Sequence, residues 1–190
     1  MPNALLVTPA SMAAIFLAVT LADVASAQTV WSGLTHSFSK PNSADWLLPE
    51  NQDRLTDNVW LTRADTSALF NIRQESEWVG TSPADTEWAT DINNPGETIA
   101  ATNWANLDFA NWIDAYGGQG GGTLPARLIG RDAVVHLVAD DIYLDLRFTG
   151  WTQQGGGGFS YLRAEVPEPT TCALLLCGVL VLSWRSRRRW

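Results

Sequence analysis

The chain has 190 residues, with 12 Lys and Arg against 20 Asp and Glu, a net charge of −8. So acidic a balance supplies no basic stripe for phosphates and excludes nucleic acid as a partner. Its only cysteines, Cys172 and Cys177, lie in an uncharged C-terminal run. The rest of the chain therefore folds without disulfides, on a core that a domain of this size can build unaided.

In chain order, Ala13 to Ala22 is apolar and Ala25-Ser26-Ala27 has the small-x-small form that signal peptidase reads. Residues 1–27 are expected to be a signal peptide cleaved between Ala27 and Gln28, although Met1 to Ala22 carries no Lys or Arg. Residues 28–165 are expected to form one exported domain, in which 18 acids face 8 bases.

Period-two alternation dominates that domain. Strands are expected over Val30 to Phe38, Asn58 to Arg63 and Ala68 to Arg73, with Asp65-Thr66 as a turn. One short helix is expected over Phe109 to Tyr116, capped by Asp108 and stopped by Gly117. Ala133 to Val138 is a β-branched run, and Ala139-Asp140-Asp141 turns it into a second strand. There Ile142, Leu144, Leu146 and Phe148 alternate with Tyr143, Asp145 and Arg147. Gly155 to Gly158 then leads into Phe159-Ser160-Tyr161, completing a three-strand antiparallel meander. Many short strands with Gly- and Asp-rich turns imply a mainly β domain, a β-sandwich or jelly roll with one short helix. A signal helix and a C-terminal hydrophobic helix are expected to flank it.

Sites of chemistry are few. Neither Gly117 to Gly122 nor Gly155 to Gly158 leads into the Lys-Ser/Thr of a P-loop, so both are read as loops. Among the tryptophans, Trp78 and Trp88 lie in polar surroundings and are the candidates for an exposed sugar-stacking platform. Trp60, between Val59 and Leu61, and Trp112, on the expected helix, are read as core. Asp53 with Asp57, and Asp140 with Asp141, offer the oxygen donors of a structural calcium ion, or simply form turns. No other cofactor is expected. His136 falls inside a β-run and reads as a strand residue. With no nucleophile elbow, zinc signature or thiol in the domain, an enzyme is not expected; two carboxylates at glycosidase separation are the remaining catalytic alternative.

The end of the chain carries the clearest signal. Pro167-Glu168-Pro169 is an extended step, because each proline fixes φ and removes a backbone donor. Residues 170–184 contain no charge and would span about 22 Å as a helix, shorter than the roughly 20 residues a bilayer needs unless the flanking arginines with Trp184 and Trp190 stretch the span at the interface. Arg185, Arg187, Arg188 and Arg189 follow, which favours a cytoplasmic C-terminus. In this order, over residues 166–190, the segment resembles the PEP-CTERM sorting signal of envelope-bearing bacteria. The resemblance implies an exosortase, an inner-membrane transpeptidase-like protease, as a processing partner beside signal peptidase. It also implies association with exopolysaccharide or the outer surface. The chain would be a substrate of sorting, anchored first in the inner membrane, with a structural or adhesive role; a carbohydrate-binding module is the alternative.

Overall fold

The computed structural model describes residues 28–118, 124–153 and 155–166. The expected signal peptide, the Pro-Glu-Pro step, the hydrophobic run and the arginine tail lie outside them. Among the described residues, no helix is long and apolar enough to cross a membrane.

The chain is mainly β, in two sheets. The larger contains β1 (Thr29–Trp31), β2 (His36–Lys40), β6 (Thr86–Thr90), β7 (Asp132–Leu137), β8 (Ile142–Trp151) and β9 (Phe159–Arg163). Its order is β2-β9-β8-β7-β6, antiparallel throughout, and β1 lies parallel to the first residues of β8. The smaller sheet is β3 (Asp53–Arg54), β4 (Trp60–Arg63) and β5 (Leu69–Asn71), antiparallel in that order. The expected meander is present as β7-β8-β9.

Alternation along β8 explains how the core is divided. Ile142, Leu144, Leu146 and Phe148 point to one side, where Leu55, Val59, Leu61 and Leu69 of the small-sheet region join them in one buried cluster. Tyr143 points to the other side and packs with Val134, Ala89 and Leu107 under a 3-10 segment, Ala101–Asn106. Asp145 holds that second layer in place. Its carboxylate accepts from the backbone N–H of Ala101 at 2.6 Å and of Gly33 at 2.8 Å. Gly33, at φ +91°, is where the expected single strand from Val30 to Phe38 breaks into β1 and β2. A left-handed backbone there favours glycine and ends the first pairing.

Two buried cations hold the loop between β8 and β9, Arg63 from the small sheet and Lys40 from the large one. On β4, Arg63 donates to the carbonyls of Ser67 at 2.6 Å, Thr152 at 2.9 Å and Gly158 at 3.1 Å, and lies 3.9 Å over the Trp151 ring. Burial pulls its guanidinium down to about 10. Lys40, also lowered by burial, donates to the Gly157 carbonyl. The glycine run supplies these acceptors because it has no side chains. A Cβ on Gly157, at φ +59°, would lie 2.8 Å from the Ala64 carbonyl carbon.

A third tie is ionic. Asp53 of β3 accepts from Arg163 of β9 through Nε at 2.6 Å and Nη2 at 2.8 Å, and from the Tyr161 hydroxyl at 2.7 Å. All three residues are buried. Burial alone would lower the Arg163 guanidinium, but the hydrogen bonds and charge of Asp53 outweigh it and raise it.

The expected helix is shorter and starts later. The first helix, α1 (Trp112–Ala115), is capped by Asn111, whose side chain accepts from the Asp114 N–H at 3.0 Å. Asp108 cannot cap it because the chain before it is engaged elsewhere. Ala110 exchanges both backbone bonds with Trp88, at 2.7 and 3.0 Å, and the Asp108 N–H donates to Asn94 Oδ1 at 2.6 Å. The second helix, α2 (Leu124–Leu128), was not anticipated from sequence.

Candidate functional site

The fold redistributes the expected site residues. Trp88 is not exposed: it lies on β6, fully buried, stacked near-parallel on Phe148 at 6.2 Å, and its indole donates to Thr86 Oγ1 at 2.9 Å. Trp78 is half-buried and packs against the main core. These two rings therefore form no surface platform. The strand periodicity explains the reversal for Trp88, since in Thr-Glu-Trp-Ala-Thr the exposed alternate position belongs to Glu87.

The four candidate calcium ligands do not converge either. Asp53 is committed to Arg163 and Tyr161. Asp140 accepts from Thr56 Oγ1 at 2.6 Å and Asn58 Nδ2 at 2.8 Å, tying the β3-β4 turn to the β7-β8 turn. Asp57 is exposed, and its backbone carbonyl accepts from Arg73. Asp141, at φ 50°, faces His136 Nε2 at 3.5 Å. Among the described residues, no group of three or more His, Cys, Asp or Glu is arranged to hold a metal ion. His136 lies flat on Tyr143, 4.2 Å between ring centroids, with Glu87 3.3 Å from its Nδ1.

A different cluster emerges on the outer face of the small sheet. Val59 and Leu61 point inward, so Trp60 points outward, and it is half-buried rather than in the core as its neighbours suggest. Arg54 stands directly opposite it in the β3-β4 register, with its guanidinium carbon 4.0 Å from the ring centroid. Arg73 approaches the same ring at 5.4 Å. Each such contact contributes about 0.5–1 kcal/mol at an exposed site and, more usefully, holds the guanidinium flat.

The anchors of this cluster are polar and largely backbone. Trp60 donates through its indole to the Thr56 carbonyl at 2.9 Å. Arg54 donates through Nε and Nη2 to Gln52 Oε1, and Arg73 through Nε to the Asp57 carbonyl. Asn71, fully buried on β5, ties the pieces together. Its Oδ1 accepts from the backbone N–H of Trp60 at 2.9 Å and of Arg73 at 3.2 Å, while its Nδ2 donates to the carbonyls of Asn58 and Ala84. The other end of Gln52 donates to the carbonyls of Trp46 and Leu47, fixing the turn that precedes β3.

Exposure without an ion pair sets these two arginines apart, since Arg63 is buried and Arg127 is half-buried on the Gly117 and Gly118 carbonyls. Arg131 pairs with Asp91, Arg147 with Asp132 and Arg163 with Asp53. Arg54 and Arg73 are exposed and, among the described residues, neither forms a salt bridge. Arg54 retains Nη1, and Arg73 both terminal nitrogens, as donors facing solvent. The arrangement presents two flat guanidinium forks, held by an indole, to whatever carboxylate or similar oxyanion approaches.

No family model matches the chain, and no curated protein or solved structure matches it.

Proposed function

We propose that the chain is an exported cell-envelope or extracellular-matrix protein, sorted by its C-terminal signal and associated with exopolysaccharide in a structural or adhesive role. The observation that carries this reading is the ordered constellation at residues 167–190: a Pro-Glu-Pro step, an uncharged apolar run and four arginines. A rigid extended step before a short apolar run is what a processing protease in the inner membrane can bind in extended form. The β domain is the cargo. Two sheets sharing one core, fastened by Asp53 and Arg63, suit a β-sandwich that survives outside the cell without disulfides, and we assign it to that architecture.

The test is the double substitution Pro167→Ala, Pro169→Ala. Alanine is the best helix former and proline the worst by about 3 kcal/mol, so a helix over the apolar run would extend back through the step. Immunoblots of fractionated cells should show a full-length precursor retained in the inner membrane, where the parent chain appears shortened in the outer envelope or medium. Processing and distribution like the parent would reduce the motif to a linker and end the sorting hypothesis.

A further inference from the structure

We propose that the Arg54, Trp60 and Arg73 face of the small sheet is the surface on which this protein holds an acidic polysaccharide, by its uronate carboxylates. The inference rests on the exopolysaccharide reading above and names the ligand class and the residues.

Local charge, not net charge, favours this occupant. In residues 28–165 acids outnumber bases 18 to 8, so only a patch of unpaired cations can hold an anionic group, and three of the eight bases already form salt bridges among the described residues. Lys40 and Arg63 are buried against backbone carbonyls. Arg54 and Arg73, by contrast, are exposed, lie over one indole and keep donors free. Their forks match a carboxylate in two-point geometry, which a lysine ammonium would not. A single sugar chain can touch this stack alone. An anionic bilayer is an extended plane that would also meet the surrounding acids, and a nucleic-acid duplex carries a denser line of charge than two arginines can neutralise.

Calorimetric titration of the purified full chain with polygalacturonate tests this. Binding should be measurable and should weaken as salt rises, since the contacts are exposed charges. Arg54→Gln and Arg73→Gln should each raise the dissociation constant about tenfold, the effect of one charge-assisted hydrogen bond. The corresponding lysine variants should recover only part of the loss. Arg131→Gln, just before β7, should bind like the parent, and circular dichroism should show every variant folded. The fully methyl-esterified polymer, whose carboxylates are blocked, should not bind. Four outcomes would overturn the proposal: no binding to polygalacturonate, equal binding of the ester, unchanged affinity in the Arg54→Gln/Arg73→Gln chain, or tighter binding of an oligothymidylate or of dihexanoyl phosphatidylglycerol below its micelle concentration. Each of these leaves the sorting reading untouched, because that reading is decided by cell fractionation.

Discussion

Replacing Asp53 by Asn should destabilise the fold more than almost any other single change that conserves volume. In the parent, the carboxylate accepts two bonds from Arg163 and one from Tyr161, all between buried groups. The amide keeps one acceptor but turns an NH2 group toward donors, and it removes the negative charge. Arg163 is left as a buried cation with no anionic partner, holding at most the one amide oxygen and the Ala164 carbonyl, at 2.8 Å. Breaking one side of a buried pair costs about 3–5 kcal/mol, and stranding the Tyr161 hydroxyl adds about 1. Against a total stability of about 5–15 kcal/mol that is a large fraction. At roughly 3–5 °C per kcal/mol for a domain of this size, the melting temperature should fall by about 12–30 °C. Thermal melts followed by circular dichroism, with urea titrations beside them, measure it directly. A second variant separates charge from shape: Asp53→Leu with Arg163→Met removes both ions and should be clearly more stable than Asp53→Asn alone. A loss under about 3 °C for Asp53→Asn would refute the argument that this ion pair fastens the two sheets.

Two further outcomes follow from the same fastenings. Gly157→Ala should lower stability by more than the roughly 1–2 kcal/mol of a left-handed backbone, because the new Cβ meets the Ala64 and Asp65 backbone and pushes the loop off Lys40 and Arg63; a urea midpoint equal to the parent's would show that the loop is free to shift. Burial raises the phenols of Tyr116 and Tyr161, with the Asp53 charge and hydrogen bond adding to the second. Both keep their protons in the fold and ionise near 10 when unfolded, so their contribution is full below about pH 10 and is lost as pH rises above it, by about 1.4 kcal/mol per unit each. Lys40 and Arg63, lowered by burial, act in the opposite sense and soften the slope. Tyrosinate absorbance from these two residues should therefore appear in one cooperative step together with loss of near-ultraviolet dichroism; gradual titration of all three tyrosines near 10 in the folded chain would contradict their burial.

The sequence by itself determined the strands whose two faces differ in polarity. Ile142 to Phe148 alternates cleanly, its turn residues Asp140 and Asp141 are where the chain reverses, and the β7-β8-β9 meander follows from local pattern alone. The composition also settled that no disulfide holds residues 28–165, since they contain no cysteine.

What only the tertiary structure decided is which face each strand turns inward and what lies across from it. Val59-Trp60-Leu61 is apolar at all three positions, so the run reads as core, yet a strand cannot point all three the same way and Trp60 goes out. Asp57-Asn58, a turn signal between Arg54 and Trp60, was the one local hint that these two residues face each other. Nothing in the spacing announces that Arg73, thirteen positions further on, reaches the same ring. Trp88 went the other way because β7 and Ala110 take its two backbone edges, and that same pairing drew Asp108 away from the helix it was expected to cap. The physical reason is common to all of these. Periodicity fixes the alternation of side chains along a strand, whereas the choice of inward face, and every contact across strands, depends on partners that are distant in the chain and are brought close only by the packing of the two sheets.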